Sequence, residues 1–182
     1  MELDQQSPTT RQRIHRFLDR WDWVIFAALV AGFWFYNQGR VAPAVEEGDV
    51  APAFALTSLE GTKHSLDDYR GRAVALTFWA SWCGVCKMEL PSLSELSTEV
   101  DPAKAVVVSV AVSSALDEIR AFTAEKKLNF PVLIGPQEVS DAYGVRALPT
   151  TVIIGPDGTV RETFTGYTIA GSVGRALRAA MP

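Results

Sequence analysis

Trp79-Ala80-Ser81-Trp82-Cys83-Gly84-Val85-Cys86-Lys87 is the stretch whose reading decides the fold. It holds the only two cysteines of the 182-residue chain, spaced C-x-x-C. The apolar run Ala73 to Trp79 leads into it and reads as a strand buried on both faces. A helix is expected to leave it, from Gly84 to about Val100, kinked or restarted at Pro91. Two thiols three positions apart at such a junction can reach each other. The first lies where the opening N–H groups of a helix lack partners, a field that lowers a thiol's pKa. The chemistry this suggests is exchange: Cys83 attacks a substrate disulfide, and Cys86, one turn further in and more covered, resolves the mixed disulfide. Run in reverse, the same steps oxidise a substrate. The competing reading is a pair of buried, inert cysteines. The strand before the pair and the helix after it weigh against that.

Outward from this junction the chain alternates strands and helices. Ala53 to Leu56 reads as a strand that pairs with Lys63 to Leu66 across the turn Leu59 to Thr62, and Leu66 to Gly71 as one helical turn. Ala105 to Val112 is a second buried strand, after which Ser113 or Ser114 can cap a helix over Ala115 to Lys127. Pro131 to Ile134 is a short strand, and Val139 to Tyr143 a short helix ended by Gly144. Thr150 to Ile154 and Val160 to Phe164 form a hairpin through Pro156-Asp157-Gly158, and Ile169 to Ala180 closes the chain as a helix. This order predicts an α/β fold with a mixed sheet and helices on both faces. Ligands in such folds sit beyond the carboxyl ends of strands, where Cys83 falls. Leu148-Pro149-Thr150 places a proline directly before a core strand. A cis bond there would present the Leu148 backbone beside the dithiol for pairing with an extended substrate. A trans proline would simply open the strand, and pattern alone favours trans.

Composition limits the other possibilities. Apolar residues make up 48% of the chain and charged residues 21%, enough to bury a core without staples. The net charge is −4, and from residue 41 on twelve basic side chains face seventeen acidic ones. There is no basic footprint for nucleic acid. Two cysteines cannot build a disulfide framework, and His15 and His64 are poor candidates to complete a four-ligand zinc site, so neither a metal nor a cofactor is expected.

The N-terminus differs from the rest. Trp23 to Tyr36 is a fourteen-residue run without a charge, preceded by Arg11, Arg13, Arg16 and Arg20 and bracketed by Trp21, Trp23, Trp34 and Tyr36. A membrane span needs about 20 residues, so the run is short, but its aromatic flanks and preceding arginines suit an anchor with the N-terminus inside. Ala42-Pro43-Ala44 leaves a cleaved signal peptide open, and a buried soluble helix is the third reading. The anchor reading divides the chain into a cytoplasmic segment 1–20, a transmembrane anchor 21–38, a linker 39–48 rich in small residues, and a folded domain 49–182.

Several motifs together resemble the TlpA/ResA/CcmG group of membrane-anchored, thioredoxin-fold thiol–disulfide oxidoreductases. They are Gly48-Asp49-Val50-Ala51-Pro52-Ala53-Phe54, the segment Ser65-Leu66 to Arg70-Gly71, Phe78 to Cys83, Cys86 to Leu93, Tyr143 to Thr151, and Gly155 to Gly158. The resemblance spans about 48–182. It implies a thioredoxin-like fold with an N-terminal β-hairpin and a central helix–strand insert at 115–134, preceded by one transmembrane helix. It implies that Cys83 attacks, Cys86 resolves and Pro149 is cis, with Trp82, Leu148 and Pro149 docking the substrate. Glu89 stands at an acid position that tunes the thiols or relays a proton; the plain alternative is a solvated helix glutamate. The implied partners are protein thiols and disulfides, a membrane thiol transporter as electron donor, and the bacterial cytoplasmic membrane, with the catalytic domain on its periplasmic side. The expected task is reduction of protein disulfides in cytochrome c maturation or copper-site assembly. A disulfide oxidant is one alternative. A Cu(I)-binding chaperone is another, because soft thiolates suit that ion. A peroxidase fits less well, since C-x-x-C geometry favours exchange. Two departures bear on the redox poise: Val85 replaces the proline common beside the second cysteine, and Thr77 stands where plain thioredoxins bury an aspartate.

Overall fold

The computed structural model describes residues 23–33 and 45–182. The chain divides into two compact units, Met1–Val41 and Ala42–Pro182. In the first, residues 23–33 form helix α1, with every residue exposed, Trp23, Phe26, Leu29 and Phe33 among them. No helix among the described residues is long and apolar enough to cross a membrane. The segment 1–20 and both ends of the expected anchor 21–38 lie outside the described residues.

The second unit holds β1 (Ala55–Ser58), β2 (Lys63–Ser65), a 3-10 turn (Leu66–Tyr69), β3 (Ala73–Trp79), α2 (Gly84–Glu99) and β4 (Ala105–Ala111). It continues through α3 (Leu116–Lys126), β5 (Val132–Ile134), α4 (Gln137–Ala142), β6 (Thr150–Ile154), β7 (Val160–Thr165) and α5 (Ala170–Ala179). The seven strands make one sheet in the order β2-β1-β5-β4-β3-β6-β7. β3 runs parallel to β4 and antiparallel to β6, so the sheet is mixed as expected. Of the expected linker, 39–44 lies outside the described residues, whereas 45–48 is docked on the body. Val45 is buried and its N–H donates to Tyr143 O, while Gly48 N–H donates to Val160 O at 2.9 Å.

The period of two along a strand sorts β3 into two cores. Ala73, Ala75 and Trp79 face a layer containing Cys86, Leu90 and Leu93 of α2, Ile119 and Phe122 of α3, and Val173 and Leu177 of α5. Val74, Leu76 and Phe78 face the opposite layer, with Leu66, Tyr69 and Tyr143. All seven residues of β3 are buried, which is why the strand reads as an apolar run with Thr77 its one polar member. α2 buries Cys86, Glu89, Leu90, Leu93 and Leu96, the spacing of one helical face. α5 comes close to that helix at Gly174, where a Cβ would lie 2.9 Å from Leu96 Cδ1.

Two local expectations are corrected. Pro91 does not restart the helix: α2 is one element from Gly84 to Glu99 with the proline inside it. Neither serine caps α3. Ala115 is its N-cap and makes no side-chain bond, because Ser114 is engaged elsewhere: its Oγ donates to Val112 O and accepts Ser81 N–H, both at 2.8 Å.

Candidate active site

β3 ends at Trp79, and the next four residues carry the chain to the start of α2. Cys83 is the N-cap of α2, and its Sγ accepts the Cys86 N–H at 3.2 Å. The sulfur therefore occupies the place where a capping oxygen commonly sits, among helix N–H groups whose partial positive charge favours an anion. Cys83 and Cys86 form a disulfide with their Cα atoms 5.3 Å apart. Cys83 retains 7% of its surface and Cys86 none, so in this state an incoming group meets Cys83.

The loop before the dithiol is held from two sides. Ser81 donates through Oγ to Glu118 Oε2 on α3, and its N–H is held by Ser114. Trp82 is 67% exposed, and its indole N–H donates to Ser113 O at 2.8 Å. Beside Trp82 opens a cleft of about 220 Å³, whose other walls include Val112, Gln137, Val145, Arg146 and Leu148. Trp82 and Leu148 thus line one cleft. Leu148 also packs against the core that contains both cysteines. The Leu148–Pro149 bond is cis, as the family resemblance implied and pattern alone disfavoured. Pro149 is buried, and its carbonyl accepts Gly166 N–H at 2.8 Å, which ties the turn to the end of β7.

Glu89 is not a solvated helix glutamate. It is 2% exposed, and its Oε2 accepts Thr168 N–H at 2.8 Å from the segment before α5. Burial pushes its pKa up, while the Thr168 hydrogen bond pulls the other way. It follows Cys86 by three positions on the buried face of α2. Thr77 is fully buried, and its hydroxyl shares a 2.9 Å hydrogen bond with Thr151 on β6. A neutral hydroxyl pair therefore lies on the α2 face of the sheet at the position where plain thioredoxins keep an acid. No group of three or more His, Cys, Asp or Glu that could hold a metal occurs among the described residues.

Sequence reading missed Ser113, Ser114, Glu118 and Gln137. All lie 27 or more residues beyond Cys86, in a loop and at helix starts. Their only local signal, serines before a helix, pointed to capping instead.

Residues 47–163, well over half of the chain, match the AhpC/TSA family. The thiol–disulfide oxidoreductase ResA of Geobacillus thermodenitrificans is 36% identical over 140 residues, 76% of this chain and 80% of that protein. The thioredoxin-like protein YneN of Bacillus subtilis is 33% identical over 155 residues, 82% of this chain and 91% of its own. A crystal structure from Chlorobium tepidum, assigned as the thiol:disulfide interchange protein DsbE, superposes with a TM-score of 0.70 at 30% identity, over 75% of this chain and 99% of that one. These likenesses bear out the ResA/CcmG-like resemblance read from the motifs. With its C-x-x-C pair capping a helix on a thioredoxin-like sheet, the chain belongs to the AhpC/TSA family as a thiol–disulfide oxidoreductase.

Proposed function

We propose that this oxidoreductase is tethered to the bacterial cytoplasmic membrane by its N-terminal segment and reduces protein disulfides on the outer side. The observation that carries the exchange chemistry is the placement of Cys83: N-cap of α2, sulfur accepting the Cys86 N–H, and accessible where Cys86 is not. In the reduced enzyme the Cys83 thiolate attacks one sulfur of a client disulfide. The client's other sulfur leaves as a thiolate and takes up a proton. The Cys86 thiol gives up its proton and attacks Cys83 Sγ, which releases the second client thiolate and leaves the Cys83–Cys86 disulfide. Two electrons have then moved to the client. A membrane dithiol carrier returns them by the same exchange in reverse. The Glu89 carboxylate is the candidate acceptor of the Cys86 proton in the resolving step, because burial strengthens its hold on a proton and it shares a helix face with Cys86.

The tether reading is supported by the exposed apolar face of α1 and by the arginines that precede it. The reducing direction and the client type, cysteine pairs awaiting haem or copper, follow the resemblance to the ResA/CcmG group. A Cys86→Ser variant tests the mechanism. It should accumulate mixed disulfides on Cys83, identifiable by mass spectrometry, whereas Cys83→Ser should capture nothing. Alkylation of the reduced protein should label Cys83 well below the ordinary free-thiol value of about 8.5. Equal labelling of both thiols with ordinary titration would count against it. A reduction potential near about −270 mV supports the reductase, and one near about −120 mV would make the protein an oxidant. Stoichiometric Cu(I) binding without disulfide turnover would make it a chaperone.

A further inference from the structure

Ser113 is one of two non-glycine residues with positive φ among the described residues, at 46°, an uncommon conformation for serine. It stands in the loop between β4 and α3 and bonds in two directions. Its carbonyl accepts the Trp82 indole N–H at 2.8 Å, and its Oγ donates to Gln137 Oε1 at 2.9 Å. Gln137 opens α4, and its Nε2 donates to Ser140 Oγ and Asp141 Oδ1, both at 3.0 Å. With both ends of its amide engaged, Gln137 has a fixed orientation. After α4 the chain turns at Gly144, φ 64°, into Val145 to Leu148, the far wall of the cleft beside the dithiol. An unbroken series of hydrogen bonds therefore runs from Trp82 on one wall, through Ser113 and Gln137, to the helix that supports the other wall.

We propose that Ser113 and Gln137 are positioning residues that set the width of the client cleft, holding Trp82 at a fixed separation from the 145–148 segment. The cleft seats the extended client segment that flanks the reacting cysteine. Trp82, Val112, Val145 and Leu148 receive an apolar side chain of that segment, with the polar rim at its edge. Ser113 and Gln137 border the cleft themselves and set its width through Trp82 and α4; neither acts on the sulfurs. Their removal loosens client binding and leaves thiol chemistry alone. The inference rests on the reading of protein disulfides as substrates.

Insulin serves as the probe, reduced by the full-length enzyme with excess dithiothreitol as donor. Ser113→Gly removes the hydroxyl while keeping the carbonyl and tolerating positive φ. Gln137→Met removes the amide at similar length. Both side chains are exposed, so the core is left intact. Each variant is expected to raise KM for insulin about threefold to tenfold, with kcat and the pH titration of Cys83 alkylation as in the parent. Because the two residues share one bond, the double variant should raise KM no further than the larger single effect. An unmoved KM, effects that multiply in the double variant, a kcat loss at constant KM, or a shifted Cys83 titration would each overturn the proposal. A parent that leaves insulin unreduced sinks the reductase reading instead. The KM comparison then runs on reduced insulin chains in the oxidising direction, with glutathione disulfide reoxidising the enzyme, and with the same expected and overturning results.

Discussion

Glu89 illustrates how placement changes what a residue is for. On a solvated helix face its carboxylate would titrate as any glutamate. Buried against the Thr168 backbone, it has its pKa pushed up by desolvation. The sign of the consequence is fixed. Below the ordinary glutamate pKa of about 4.3 the group is protonated in both folded and unfolded chains. As the pH rises from there through the raised folded value, the unfolded chain loses its proton first, and folding stability falls. Glu89→Gln keeps an oxygen for Thr168 N–H but carries no charge. It should melt at a higher temperature than the parent at pH 7, with the gap closing below about pH 4. A gap that ignores pH would remove Glu89 as a titrating group.

The elements meet at the Thr77–Thr151 pair, where β3 and β6 lie in antiparallel register. Neither hydroxyl can reach solvent, and each satisfies the other. Thr77→Val alone strands the Thr151 hydroxyl in the core and should cost about 1–3 kcal/mol. The Thr77→Val/Thr151→Val double variant removes both groups and should lie closer to the parent in urea unfolding of the oxidised protein. A double variant worse than the sum of the singles would mean that the pair does more than satisfy itself. The same scale explains why the serines before α3 were misread. A serine just ahead of a helix has two uses, capping it or bonding elsewhere, and the chain alone does not say which. Here β4 delivers Ser113 and Ser114 beside the dithiol loop, and Ser81 and Trp82 claim them.

Across the whole molecule, α1 and the body are distinct units with different surfaces. α1 exposes apolar side chains throughout, whereas the body buries two cores around one sheet. A chain starting at Val45 should therefore retain disulfide exchange and fractionate as a soluble protein, while the full chain stays with membranes after a carbonate wash. Full-length protein that releases as a soluble product beginning near Val45 would instead mean cleavage. Starting at Asp49 should be less favourable. It discards the buried Val45 and the Gly48 hydrogen bond to Val160, and a lower melting temperature than the Val45 chain is expected.

The order of strands and helices and the position of the dithiol were legible from the chain, because both rest on local patterns. β3 appears as an apolar run broken only by Thr77, α2 as a helix behind two cysteines, and the 150–165 hairpin as a Pro-Asp-Gly turn. Those signals lie within a few residues of what they specify. The strand-level reading of β1 was displaced by two residues, since an isolated short apolar run fixes no register until β2 and β5 pair with it. Only the tertiary structure decided the isomer at Pro149, the burial of Glu89, the mutual satisfaction of Thr77 and Thr151, and the bonds from Trp82 through Ser113 to Gln137. The reason is physical. Burial and hydrogen-bond partnership belong to pairs of groups, and here the partners lie from 24 to 79 positions apart. Folding alone brings them within bonding distance.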